Sequence, residues 1–372
     1  MTKNIYVAAT NQHIGKTTST LGLVMAMKNQ GINVGYCKPV GQQFVDLGDL
    51  KVDKDALLFS KIIGFDLKEE VHSPVILGQG ATAAYLDNPA AFNYRERISV
   101  ACNALTEAHD FVIYEGTGHP GVGSVVGLSN AEVAKMLGAS VVMIVEGGIG
   151  KTIDRLAMSL CVFQRQRVPI VGVIINKVLP DKIEKVRHYV GGWLKKKNLN
   201  LLGVLPYDKS LSNPIMHSIR KAVYGTTILN EAHLTNQVDN IIPGSLVANH
   251  DFAKEKNSLL VVSSNRLCKA VQRIEMICTQ KGIQEFPLSG AIITGDGRNP
   301  RNMYERLPCK DFFAKRAIPV VTTPLDTYGS VVKISNLEVK INIHTPWKAQ
   351  RAIDLVEQNV NLKPLYLEDV AP

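Results

Sequence analysis

No stretch of this 372-residue chain approaches the roughly 20 uninterrupted apolar residues that a membrane-spanning helix needs. The N-terminus also lacks a basic segment followed by an apolar block and a small-residue cleavage site, so the expected location is the cytoplasm. No C-x-x-C pair occurs among the six cysteines (Cys37, Cys102, Cys161, Cys268, Cys278 and Cys309), which argues against a zinc knuckle or a disulfide scaffold. They read as reduced thiols, mostly buried. Although the formal net charge is +9, Lys and Arg are dispersed, and the one dense run, Lys195-Lys196-Lys197, sits late in a helix-like segment where cations suit the carbonyl end of the helix dipole. A nucleic-acid partner is therefore not expected. Low-complexity segments and short-period repeats are absent too. What remains, 45% hydrophobic and 20% charged, is ordinary soluble material with chain enough for a sizeable core and two or three domains.

Apolar runs rich in β-branched residues alternate with longer helix-compatible stretches, the pattern of an α/β fold with a mostly parallel sheet flanked by helices. Strands are expected at Ile5 to Ala9, Val34 to Cys37, Phe111 to Tyr114, Val141 to Val145, Ile170 to Ile175 and Leu201 to Val204. Helices fit Ser19 to Asn29, Asp55 to Ile63, Tyr94 to Ala108, Asn130 to Leu137, Ile153 to Gln164 and Lys182 to Lys196. After a polar, less regular stretch from Gly225 to Ile241, a second, smaller α/β domain is expected. Its strands are Leu259 to Ser263, Gly290 to Thr294, Pro319 to Thr322 and Glu338 to Ile341; its helices are Arg266 to Lys281, Asn302 to Lys315 and Pro346 to Gln358. The expected division is 1–225 and 226–372.

The segment Thr10-Asn11-Gln12-His13-Ile14-Gly15-Lys16-Thr17-Thr18 lies between the first strand and the first helix, the context of a phosphate-binding loop. Its first glycine is replaced by Thr10, so the assignment rests on context as well as letters. Amides of His13 to Thr18 and the positive end of the helix face an anion, Lys16 reaches terminal phosphates, and Thr17 can hold Mg²⁺. The implied ligand is a nucleoside triphosphate with magnesium. Phosphoryl transfer needs charge neutralisation, so carboxylates should reach the same strand ends. Glu115, which opens Glu115-Gly116-Thr117-Gly118 at a strand tip, and Asp55, which opens a helix, are the candidates; Asp55 could equally be a plain N-cap. Lys38, fixed by Pro39 beyond the second strand, can neutralise a second anion, and Asn176 ends another strand where its amide can read a nucleobase. Glu146-Gly147-Gly148-Ile149-Gly150-Lys151-Thr152 lacks the first glycine of a second nucleotide loop and reads as a glycine-rich turn facing the same cleft.

Gly15-Lys16-Thr17, Lys38-Pro39-Val40, Asp55-Ala56, Glu115-Gly116-Thr117-Gly118 and Asn176, in that order, resemble the dethiobiotin synthetase-like P-loop proteins over about the first 225 residues. The resemblance implies a P-loop NTPase-type fold, ATP on the loop, Mg²⁺ between Thr17, Asp55 and Glu115, Lys38 near the acceptor or transferring group, Asn176 near adenine, and a homodimer. It departs from true synthetases at Gly41-Gln42-Gln43, where those carry hydroxyl-rich residues, and at Ser73 to Gly80, which lacks a Pro-His anchor. Those stretches, with His119 to Ser124 and Leu128 to Ala131, are similar to the synthetase-like N-terminal region of long phosphate acetyltransferases. Leu260 to Arg266, Ala291 to Arg298 and Pro324 to Tyr328 resemble the DRTGG module that accompanies such regions and behaves as a regulatory domain. An acetyltransferase catalytic domain and a glutamine-hydrolysing domain are not expected in this length. The resemblance implies an ATP-dependent enzyme that activates a carboxylate or carbamate of a small anionic metabolite; its competitor is a nucleotide-sensing regulatory ATPase.

Overall fold

The computed structural model describes residues 3–48, 50–247, 251–252, 254–295, 307, 309–337 and 339–366. They form two compact units, Met1–Asp208 with Ile341–Pro372, and Lys209–Lys340. Among the described residues, no helix is long and apolar enough to cross a membrane.

In the first unit, strands β1 (Lys3–Ala9), β2 (Val34–Cys37), β3 (Phe111–Glu115), β4 (Ser140–Glu146), β5 (Ile170–Val178) and β6 (Leu201–Pro206) make one sheet in the order β6-β5-β4-β1-β3-β2. Every neighbouring pair is parallel. These strands are apolar on both faces because helices cover both, which is why they read as continuous runs without alternation. The connection from β3 to β4 crosses β1, so the loops leaving β1, β3 and β4 diverge there, the position where open α/β sheets bind ligands. Register aligns the tips: Val7 of β1 pairs with Glu115, and Glu146 of β4 pairs with Asn176 of β5. The flanking helices are α1 (Lys16–Asn29), α2 (Lys54–Ile63), α3 (Tyr94–Ala108), α4 (Asn130–Met136), α5 (Gly150–Arg165) and α6 (Ile183–Lys196).

Eight residues of α1 are buried, including Ser19 to Val24 in succession, as in a helix enclosed on all sides. The sheet accounts for one side. The other is covered by the helix Pro346–Asn359, whose Ala352 carbonyl and Val356 side chain lie over Gly22. Beyond that helix, Val360 bridges to Gly203 and the Asn361 amide donates to the Leu202 carbonyl at 2.7 Å; Arg351 Nε donates to Asp208 Oδ2 at 2.5 Å. The expected division at residue 225 is thus corrected. The helix Pro346–Asn359 was legible as a helix, but its apolar face packs on the first unit.

The second unit has a five-stranded sheet of β7 (Thr226–Leu229), β8 (Asn240–Pro243), β9 (Ser258–Ser263), β10 (Leu288–Thr294) and β11 (Val320–Thr323), ordered β7-β11-β10-β9-β8. Only β7 runs antiparallel to its neighbour. The stretch 225–241, expected to be irregular, holds the edge strand β7 and the start of the other, β8, whose short length and partly exposed positions hide them from an apolar-run reading. Residues 339–341 form no strand: Ile341 joins the core of the first unit instead, while Glu338 lies outside the described residues. Of the expected helix from Asn302, Lys310–Lys315 is helical. Residues 302–306 and 308, and Asp296 to Arg298 of the DRTGG-like stretch, lie outside the described residues. Cys268 and Cys309 form a disulfide, with Cα atoms 5.9 Å apart, which corrects the expectation of six reduced thiols; 41 residues separate them, so no local spacing announces the pair.

Candidate functional site

The phosphate loop follows β1 directly, and its tightest point is Gly15, with φ 89° immediately before α1. A side chain there would be strained by conformation and would also strike Asn176, whose amide sits against Gly15. Asn176 Nδ2 donates to the Ile14 carbonyl at 2.8 Å, and Lys177 Nζ donates to the His13 carbonyl at 2.6 Å. The end of β5 therefore braces the loop from outside. Ile14 is buried, His13 is exposed, and Lys16, Thr17 and Thr18 open the helix, where first-turn amides face outward from the helical ladder. Lys16 Nζ donates to the Gly118 carbonyl at 3.1 Å. Thr10, at the position where the usual loop has glycine, is buried, and its hydroxyl has no hydrogen-bond partner in the described structure.

Beside the loop lies a buried polar cluster. Glu115, fully enclosed at the tip of β3, accepts through Oε1 from Thr17 Oγ1 at 2.8 Å and from Lys38 Nζ at 3.1 Å, and through Oε2 from the Tyr36 hydroxyl at 3.1 Å. Lys38 Nζ also donates to Asp55 Oδ2 at 2.7 Å. Asp55 arrives through a short hairpin, Phe44–Asp46 and Lys51–Asp53, that delivers the start of α2. The N-cap of that helix is Asp53, whose carboxylate accepts from the Asp55 amide at 2.9 Å, so the alternative reading of Asp55 as a plain cap belongs to its neighbour. The structure thus brings Thr17, Lys38, Asp55 and Glu115 into one hydrogen-bonded set.

The charges of this set are unequal: three carboxylates, Asp53, Asp55 and Glu115, surround one ammonium. Burial works against the charge on Lys38, yet Asp55, Glu115 and Asp53 outweigh it and hold its pKa above the ordinary lysine value. Burial pushes the Asp53 carboxyl up to about 6, with neighbouring Asp55 adding to the rise against the pull of Lys38. Burial, then the Glu115 charge, keeps the Tyr36 phenol firmly protonated.

Residues that the sequence reading passed over hold the set in place. Asn130, at the start of α4, donates from Nδ2 to the carbonyls of Thr117 and His119 at 2.9 and 2.7 Å, and accepts at Oδ1 from the Thr117 amide at 3.0 Å and the Tyr6 hydroxyl at 2.7 Å. It uses both donors and both acceptor sites, and so fixes the loop whose Gly118 carbonyl receives Lys16. In the sequence Tyr36 is simply part of a strand; the signal for its role is the polar tip of a buried aromatic. The second glycine-rich turn closes on itself, with Thr152 Oγ1 donating to the Glu146 carbonyl at 2.8 Å and Arg155 paired with Glu146 at 3.4 Å. A cleft of about 540 Å³ lies between Gly147 to Ile149 and Lys177, Lys182 and Lys185.

A family model described as an AAA domain, AAA_26, matches residues 3–215. The phosphate acetyltransferase of Nitrosomonas europaea is 22% identical over 366 residues, covering 95% of this chain and 50% of that protein. The ATP-dependent dethiobiotin synthetase BioD of Clostridium kluyveri is 28% identical over 189 residues, 49% of this chain and 77% of that protein. BioD 2 of Escherichia coli K12 is 26% identical over 214 residues, 56% and 87%. Among solved structures, the septum site-determining protein MinD with Mg-ADP from Pyrococcus horikoshii OT3 aligns with TM-score 0.35 at 18% identity, covering 57% of this chain and 84% of that one. The chain spans about half the length of the phosphate acetyltransferases it matches.

Proposed function

This chain belongs to the AAA_26 family of AAA domains, related to dethiobiotin synthetases and phosphate acetyltransferases, and from that premise we propose a Mg-ATP-dependent enzyme that activates a carboxylate or carbamate for attack by nitrogen. The observation that supports this reading is the meeting of the phosphate loop with Thr17, Lys38, Asp55 and Glu115 at one sheet edge. The donor set fits magnesium. Thr17 Oγ1 and the carboxylates of Asp55 and Glu115 are hard oxygen donors, and the excess of buried negative charge suits a dication. Among the described residues, no group of three or more His, Cys, Asp and Glu side chains is arranged to hold a metal. Magnesium fits such a sparse site because it takes one or two carboxylates and leaves the remaining positions to phosphate and water. The buried hydroxyl of Thr10 supplies one further donor to a phosphate.

When bound, the ion neutralises charge on the phosphates. The chain's own residues do the rest. Lys16 exchanges the Gly118 carbonyl for the terminal phosphates, amides of His13 to Thr18 cradle them, Lys38 orients the acceptor anion, and Asn176 uses its remaining amide hydrogen on the adenine. Function in the cytoplasm as a homodimer belongs to the same reading.

A second reading draws on the reach of the similarity: the match to phosphate acetyltransferases runs through both units, whereas the match to BioD covers about half of the chain. In that reading the first unit senses nucleotide, and the second, a DRTGG-like regulatory module, meets an effector. Phosphate release with Mg-ATP, alone and with 7,8-diaminononanoate plus bicarbonate, separates the two, with Lys16→Ala as blank. Stimulation by the diamine supports the synthetase. Tight nucleotide binding without stimulation rejects diaminononanoate as acceptor and favours the sensor.

A further inference from the structure

We propose that Lys38 competes with the divalent cation for the carboxylates of Asp55 and Glu115, so that metal binding releases its ammonium toward the acceptor anion. This rests on the metal-and-nucleotide reading above. Lys38 Nζ stands 2.7 Å from Asp55 Oδ2 and 3.1 Å from Glu115 Oε1, with its side chain 5% exposed. The Glu115 oxygen it touches is the same one that accepts from Thr17 Oγ1 at 2.8 Å. All three side chains assigned to the metal are therefore joined through one carboxylate oxygen and one ammonium group.

An ion held by Thr17, Asp55 and Glu115 draws on the same two carboxylates that hold the ammonium group. Magnesium demands oxygen at about 2.0–2.1 Å in near-octahedral geometry, which draws the lone pairs of Asp55 and Glu115 away from Nζ. A dication at that distance also repels the ammonium it displaces. Once displaced, Nζ keeps only Asp53 of its three carboxylates in a buried pocket, where an under-compensated charge is costly, and a new anion restores what it has lost. An acceptor carboxylate, a carbamate or the transferring phosphoryl group has the required charge. Metal and acceptor then bind in concert, each relieving the position the other creates, and the coupling is reciprocal. Lys38 so links arrival of the metal to readiness for the acceptor, beyond its role in holding that acceptor.

The test is Mn²⁺ binding to nucleotide-free protein, followed by electron paramagnetic resonance of the free ion, in wild type, Lys38→Met and Lys38→Gln. Thermal unfolding in metal-free buffer checks that each variant is folded. Both variants should bind Mn²⁺ at least tenfold more tightly than wild type while losing turnover. If Lys38→Met does not fold without metal, Lys38→Gln, which keeps a donor toward Asp55, carries the comparison. Equal or weaker binding in the folded variants overturns the competition. Asp55→Asn and Glu115→Gln separate that failure from a failure of the site itself: if they weaken Mn²⁺ binding, the metal reading stands without the competition, and if they leave it unchanged, both fall.

Discussion

Alanine at Gly22 sets two effects of known size against each other. Glycine inside a helix costs about 0.5–1 kcal/mol relative to alanine, so propensity alone makes Gly22→Ala stabilising. A Cβ at this position, however, would meet the Val356 side chain and lie 2.9 Å from the Ala352 carbonyl oxygen of the helix Pro346–Asn359. Val356 can change rotamer, but a backbone carbonyl moves only with its helix, and overpacking of this kind costs about 1–3 kcal/mol. Packing wins, and the net expectation is a loss of about 1–2 kcal/mol. Gly192 provides the control, because it lies in α6 with nothing within 4 Å of an added Cβ, so Gly192→Ala should gain about 0.5–1 kcal/mol. At about 2–4 °C per kcal/mol for a unit of this size, thermal denaturation should show Gly22→Ala lowered by about 2–8 °C and Gly192→Ala raised by about 1–4 °C. A Gly22→Ala protein as stable as Gly192→Ala would refute the docking of the helix Pro346–Asn359 on α1.

Glu115→Gln keeps a side chain able to bond Thr17 and Tyr36 but removes a buried charge; Mg²⁺-dependent phosphate release should fall about 100-fold or more, with a stability change of about 1–3 kcal/mol. Unchanged release would remove Glu115 from the site. Asp53→Asn retains the cap, and its effect depends on pH. The Asp53 pKa is raised from an ordinary 3.8 to about 6, so the protonated carboxyl favours the folded state below pH 4, and that contribution is lost as pH rises through 6. About two pKa units correspond to about 3 kcal/mol, so in EDTA the variant should match wild type near pH 4 and exceed it at pH 7. A difference in Tm that does not grow over that range would contradict this. For the disulfide, alkylation of unreduced, denatured protein should label four cysteines, Cys37, Cys102, Cys161 and Cys278, and reduction should expose two more; six labels before reduction would deny the bond.

The central strands were legible because burial on both faces leaves a continuous apolar run, and Val34 to Cys37 is bounded as read. The phosphate loop was legible because a strand, a glycine and a helix must follow one another at fixed spacing. What the sequence hid depends on partners distant along the chain. Pro346 to Gln358 declares an apolar face, but nothing local says that Gly22 lies under it. Asp53 and Asp55 are equally good caps as letters, and only the turn of the hairpin before them decides that one caps and the other reaches Lys38. Asn130 looks like an ordinary residue at a helix start until the folded loop sets two carbonyls and an amide around its side chain.

Because the first unit is discontinuous, its assembly cannot follow the order of synthesis. The nucleotide loop and α1 leave the ribosome before the second unit, yet the helix that backs α1 is made only after all of Lys209–Lys340. Throughout that interval an apolar helix adjoining the site lacks its cover, the kind of transient surface that recruits chaperones or drives aggregation. A protein truncated at the end of β6 would carry every candidate site residue and still leave that surface open. The loop that would receive the nucleotide is made before the second unit and secured only after it.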